Sequence, residues 1–285
     1  MIWKERRIMA NITSQTVYDT EKTKNKAIYE IKQVLKYRFL IQNLVSRDLK
    51  VRYKRSALGF IWVMLNPLLT MLITVYVFSQ ILKVNIVDFP TYALSGLLMF
   101  NLFAQGTVAA MSNLTGNGTI LSRIYIPPSV FVFSSIGSAL VNMFYALVPL
   151  VIITIGIDHI FPKVGWVLSV IPIAEMTVFA AGMGLIVSAL MVYFRDTFEI
   201  YNVLVALLNM ATPLFYPYSI LSPQLKAIEL YNPLYLLIDT FRSILLRGVL
   251  PGHREIFLDF VFSFGTFIIG WLIFTRMEKN FAYQF

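Results

Sequence analysis

A patch of positive charge that turns abruptly into an uncharged, membrane-length apolar run constrains this chain more than any other feature. Arg47, Lys50, Arg52, Lys54 and Arg55 fall within nine residues, and no charged side chain follows until after Leu82. A helix needs roughly 20 apolar residues to cross the hydrocarbon of a bilayer, where no water satisfies open backbone groups. A cationic flank beside such a run orients it with the flank on the cytoplasmic side. It also sets the cations at the depth of lipid head groups. The remaining chain agrees that lipid is part of the solvent. Of 285 residues 58% are hydrophobic and 14% charged, more apolar surface than a soluble domain of this size can bury.

The net charge of +9 is confined to the N-terminal segment. Residues 1–56 hold 14 Lys/Arg against 5 Asp/Glu, and residues 57–285 hold 10 against 10. A basic segment abutting a span is a cytoplasmic membrane flank rather than a nucleic-acid surface. There are no cysteines, and His159 and His253 lie far apart in sequence. That excludes disulfides, thiolate metal sites and cysteine nucleophiles, and gives no histidine metal pair.

The pattern predicts an all-α integral membrane protein with six spans. Residues 1–26 are polar and aperiodic, a flexible cytoplasmic tail, with no cleaved signal peptide. Residues 27–49 carry Ile28, Ile31, Leu35 and Phe39 at helical spacing, with Lys32 and Lys36 alongside. This reads as an amphipathic helix lying on the inner interface, or as a helix of a small cytoplasmic domain. With the basic cluster it makes a unit over 27–55, and 56–285 form the transmembrane domain. The spans are expected near Ala57–Leu82, Tyr92–Asn113, Val130–Ile157, Trp166–Tyr193, Ile200–Phe215 and Ile256–Thr275. Basic residues concentrate on one side of that count, so both termini are expected in the cytoplasm. Residues 216–255 are apolar in short pieces punctuated by prolines, which reads as re-entrant helices on the outer side.

Known catalytic patterns are missing. There is no Gly-Lys pair, hence no phosphate-cradling loop of that type, and no Gly-x-Ser-x-Gly or His-Glu-x-x-His. The chain reads as a non-enzyme, and any ATPase would be another polypeptide. Four carboxylates fall near or inside spans: Glu175, Glu199, Asp239 and Asp259. Glu175 is the one expected well inside, where it would serve proton coupling or a hydrogen bond between helices. Trp62, Tyr76, Phe78, Phe100, Phe103, Tyr145, Phe215 and Tyr216 are candidates to line a sugar path, since aromatic faces stack on sugar rings. Contact with lipid explains them equally well. The stretch 116–128, closed by Pro127 and Pro128, is either a short protruding helix that docks into a partner or an ordinary loop.

Four motifs resemble one family. Arg47-Asp-Leu-Lys-Val-Arg-Tyr-Lys-Arg-Ser-x-Leu-Gly-x-x-Trp-x-x-x-x-Pro67 is similar to the first-span signature of type-2 ABC permeases that export cell-surface polysaccharides. Leu121-Ser-Arg-Ile-Tyr-Ile-Pro127, Tyr193-Phe-Arg-Asp196 and Tyr231-Asn-Pro233 follow in the expected order. The resemblance covers roughly residues 27–275. It implies a homodimer in the bacterial inner membrane, bound to two nucleotide-binding subunits that hold ATP and magnesium, with no cofactor in this chain. The cargo it implies is a polyprenyl-pyrophosphate-linked polysaccharide: O-antigen by the first motif, with capsule and teichoic acid as the other branches. Leu121, Arg123, Ile124, Tyr125, Ile126 and Pro127 would couple to the ATPase. Arg47, Lys50, Arg52, Tyr53, Lys54 and Arg55 would recruit the lipid pyrophosphate. Pro128 stands where many members carry arginine, so the segment lacks that cation but keeps its helix stop. A proton-coupled transporter using Glu175, a membrane transferase and a drug exporter are the rival readings.

Overall fold

The structure is a computed structural model that describes residues 30, 33–54, 56–81, 86–121, 126–249 and 251–283. Among these the chain is helical, without strands. The helices are α1 (Arg38–Tyr53), α2 (Trp62–Tyr76, continued by a π turn Val77–Ile81), α3 (Phe89–Gly116) and α4 (Ser129–Gly156). There follow α5 (Val170–Tyr193), α6 (Thr197–Ala211), α7 (Pro223–Glu229), α8 (Pro233–Arg242, continued by a π turn Ser243–Arg247) and α9 (His253–Met277). A four-residue helical turn, Gly118–Leu121, follows α3.

Five helical stretches among the described residues are long and apolar enough to cross a membrane: Trp62–Gln80, Phe89–Gly116, Ser129–Gly156, Gly165–Tyr193 and His253–Phe281. The sequence pattern led us to expect six. The remaining candidate, α6, has 15 residues, a rise of about 22 Å against a hydrocarbon core of about 30 Å. It stops because Thr212 is extended and Pro213, with no N–H, cannot continue the ladder. The chain then turns through residues 212–222 into the short helices α7 and α8, where the sequence pattern placed re-entrant pieces.

Several boundaries moved. Helix α1 runs on through the basic cluster to Tyr53, past the expected end at residue 49. Span one begins at Trp62 rather than Ala57, because residues 56–61 form a turn in which Gly59 adopts φ 52°, a conformation that favours glycine. Helix α3 starts at Phe89 with Pro90 in its first turn. Its N-terminus is capped from across the bundle: the Thr91 N–H donates to Asp158 Oδ2 at 3.0 Å, and the Thr91 and Thr154 hydroxyls meet at 3.1 Å. Asp88, the residue before α3, makes no side-chain cap.

Helix α3 is the axis of the bundle and packs against α4 and α5. Its Leu94, Leu98, Met99 and Phe103 are at most 2% exposed. Between apolar helices in lipid, dispersion and close approach replace the hydrophobic effect as the source of cohesion. Helices α5 and α9 approach closely at two glycines. A Cβ on Gly270 would lie 2.3 Å from the Gly182 carbonyl oxygen, and one on Gly182 2.6 Å from the Phe267 nitrogen. At one end of the bundle Leu44 of α1 joins Leu114, Val130, Val192, Phe274 and Phe281 in a single cluster. The N-terminal helix and the C-terminal turn are therefore at the same end. At the other end, Trp166 Nε1 donates to the Leu245 carbonyl at 3.0 Å and Lys163 Nζ to that of Arg247 at 2.9 Å.

Candidate functional site

Helix α1 is held to the bundle by a polar chain. Asp48 accepts from the Arg47 guanidinium and from Asn113 Nδ2 of α3, both at 3.3 Å, and Asn113 Nδ2 also meets Ser135 Oγ of α4 at 2.7 Å. Residues four apart share a helix face. Fixing Asp48 against α3 thus sets Arg52 on the same side of α1, and Arg52, itself exposed, lines a cleft of about 490 Å³ between α2, α3 and α4.

The cleft is polar inside an otherwise apolar bundle. Trp62, Asn66 and Thr70 form a stripe on α2, Asn101 and Gln105 a stripe on α3, and Asn142 faces them from α4 between Ala139 and Ala146. The i, i+4 spacing brings each stripe to one face. The small alanines leave the space that the amides border. Asn142 is 8% exposed and its Oδ1 has no hydrogen-bond partner, while the Thr70 hydroxyl is used by the Asn66 carbonyl at 2.9 Å. Pro67 has no N–H to return to the Val63 carbonyl, and both residues border the cleft. Carboxamides at membrane depth are costly unless they serve a partner. Each offers donors and an acceptor, and Arg52 adds a planar cation suited to phosphate oxygens.

The expected sites are distributed around this cleft. Of the basic cluster, Arg47 is tied to Asp48, Lys50, Arg52 and Lys54 are exposed, and Arg52 lines the cleft. Arg55 and the Tyr53 side chain lie outside the described residues. Of the coupling segment, Leu121 and Ile126 pack against the Leu44 cluster and Pro127 is buried, its carbonyl accepting the Val130 N–H that opens α4. Arg123, Ile124 and Tyr125 lie outside the described residues. Trp62 borders the cleft, and Tyr76 and Tyr145 are exposed. Phe78 and Phe215 are half-buried and pack together, their centroids 6.1 Å apart. Phe100 and Phe103 are interior: both are at most 3% exposed, and Phe103 stacks on Phe179 at 5.4 Å. Tyr216 donates its hydroxyl to the Ala211 carbonyl at the end of α6.

Two further polar centres lie outside the cleft. Arg242, within the stretch 216–255 that the sequence pattern reads as re-entrant, is 3% exposed. Its guanidinium donates to the carbonyls of Pro213 (2.8 Å), Leu214 (2.7 Å) and Tyr92 (3.0 Å) and lies 3.6 Å from the centre of the Tyr92 ring. It satisfies carbonyls left without helical donors where α6 ends. The other is Asp259. Glu175 is buried as expected, but Asp259 is deeper, at 0% exposure, and accepts from the Thr240 hydroxyl at 2.6 Å. Among the described residues no three His, Cys, Asp or Glu side chains gather as a metal site.

The family model for ABC-2 type transporters matches residues 40–246, from α1 through the π turn after α8. The chain belongs to the ABC-2 type transporter family. This ABC-2 chain is 27% identical over 256 residues to the O-antigen export system permease protein RfbA of Klebsiella pneumoniae, covering 89% of this chain and 98% of that one. It is 29% identical over 228 residues to the RfbA of Myxococcus xanthus, covering 79% and 87%. To the polysialic acid transport protein KpsM of Escherichia coli it is 20% identical over 243 residues, covering 84% and 93%. The five apolar helices and the family together make it an integral membrane permease.

Proposed function

We propose that this chain is the membrane permease of an ATP-driven exporter that carries a polyprenyl-pyrophosphate-linked polysaccharide, O-antigen, across the bacterial inner membrane. The carrying observation is likeness to an O-antigen export permease over 98% of that relative's length. Likeness to capsule exporters is weaker, at 20% for KpsM, so capsule is the second reading. The chain works as a homodimer with two ATPase subunits, which bind ATP and magnesium. The segment around Leu121–Pro127 receives the ATPase stroke, and both termini face the cytoplasm. The cations of α1 gather the anionic lipid head at the inner leaflet, where phosphate and guanidinium match in geometry.

Chromosomal deletion with plasmid complementation tests this. The expected result is loss of surface O-antigen and accumulation of lipid-linked glycan on the cytoplasmic side, both reversed by the plasmid. Unchanged surface O-antigen, with loss of a capsule instead, establishes the second reading. Unchanged surface glycan of every kind overturns both.

A further inference from the structure

We propose that the cleft bordered by Arg52, Trp62, Asn66, Asn101, Gln105 and Asn142 is a recognition site for a glycosyl phosphate head group, an inference that rests on the export function proposed above. Three kinds of group meet there, and each suits one part of such a ligand. Arg52 supplies a cation for phosphate oxygens. The carboxamides from three helices supply paired donors and acceptors for vicinal hydroxyls. The Trp62 indole, 41% exposed, supplies a face on which a sugar ring stacks.

An acyl chain cannot be the occupant, because it would leave every one of these amides without a partner in hydrocarbon. Asn142 already has an unpaired oxygen, and such groups find partners in finished complexes. The size is informative as well. At about 490 Å³ the cleft falls in the range of small-molecule sites, roughly 300–1,000 Å³. It holds one or two sugar rings, not a polymer. It therefore reads the unit next to the lipid, once per exported chain, and is separate from any path for the glycan that follows. The tether from Asp48 to Asn113 and Ser135 sets the height at which Arg52 meets the phosphate.

Hydroxyl and phosphate also occur together in phosphatidylglycerol, so the test separates the two sources. Full-length chain is placed in phosphatidylcholine nanodiscs. Binding is measured for farnesyl pyrophosphate, for farnesyl pyrophosphoryl hexose and for added phosphatidylglycerol as competitor. Asn66 and Gln105 are exposed, so the double variant Asn66→Leu/Gln105→Leu is expected to fold, with an unchanged thermal midpoint as the control. It should bind the hexose probe about tenfold more weakly, as the loss of two hydrogen bonds gives, and the sugar-free probe within about twofold of wild type. Arg52→Ala should weaken both probes by similar factors. Equal binding of the hexose probe by wild type and double variant overturns the proposal. So does displacement of that probe by phosphatidylglycerol at equal concentration, which makes the cleft a general lipid site. If the wild-type chain binds neither pyrophosphate probe, the export function falls with it.

Discussion

Arg242 and Tyr92 hold one another in two ways at once: the guanidinium lies 3.6 Å from the centre of the tyrosine ring and donates to the same residue's carbonyl at 3.0 Å. The tyrosine in turn spends its hydroxyl on the Tyr216 carbonyl, 3.0 Å away. Helix α8, helix α3 and the break after α6 are thereby joined at one point. Arg242→Met removes the donor to three carbonyls and should lower stability by about 2–4 kcal/mol. Arg242→Lys should recover little, since an ammonium cannot span three acceptors and a ring. Gly96→Ala should act like a partial Arg242 variant, because its Cβ would fall 2.2 Å from a guanidinium nitrogen. Thermal unfolding in detergent, followed by tryptophan fluorescence, orders the three.

The buried carboxylates are predicted to be structural. Asp259→Asn keeps an acceptor for the Thr240 hydroxyl and should change stability by less than about 1 kcal/mol, whereas Asp259→Ala orphans that hydroxyl and should cost about 1–3 kcal/mol. Glu175→Gln should leave ATP-driven export within about twofold of wild type, the size of effect expected away from a working group. Export that collapses in Glu175→Gln, and that responds to a proton uncoupler at constant ATP, would reverse this assignment.

Glu229, in the short helix α7, gives a pH-dependent prediction. Burial raises its pKa above the ordinary glutamate value, and the hydrogen bond from Asn232 only partly offsets this. A carboxyl with a raised folded pKa holds its proton more tightly in the native state. Its contribution is therefore fully present below the unfolded pKa of about 4.3 and declines as pH rises through the folded value. Glu229→Gln should show a stability difference from wild type that is flat below about pH 4 and then moves in the variant's favour up to neutral pH. Melting curves at half-unit pH intervals check the sign.

The coupling segment is testable without disturbing the core. Leu121 and Ile126 anchor it to the Leu44 cluster, so replacing residues 123–125 by Gly-Ser-Gly leaves both anchors in place. Export should fall at least tenfold while the permease accumulates normally. A further measurement is ATPase activity of the assembled exporter, which should lose its dependence on lipid-linked substrate. Retained coupling would remove this segment from the mechanism.

How much of this was legible in the sequence depends on the residue. Glu175 is legible as lying well inside a span because a carboxylate in an apolar run is conspicuous. Asp259 was read as lying near a span end, and nothing in the sequence shows that Thr240 of α8 reaches it. Asn66, Asn101, Gln105 and Asn142 stood in plain view as amides within spans, with Asn101 and Gln105 at helical spacing. Their significance emerged only when α2, α3 and α4 converged on one cleft. Phe100 and Phe103 carried the opposite lesson, since an aromatic facing Phe179 and an aromatic facing a sugar have the same sequence signature.

The sequence by itself determined that this chain lives in a bilayer, that its positive charge gathers before the first span, and that short pieces broken by prolines precede the last helix. Those conclusions rest on local properties, namely hydropathy, charge and the missing N–H of proline, which act whatever the neighbours are. Only the tertiary structure decided that Arg52, among the described cations of the cluster, lines the polar cleft, that Arg242 is a buried brace, and that α6 ends at Ala211. These depend on distances between residues far apart in the chain, such as the 150 positions separating Tyr92 from Arg242. No periodicity encodes such distances, because packing, not sequence neighbourhood, sets them.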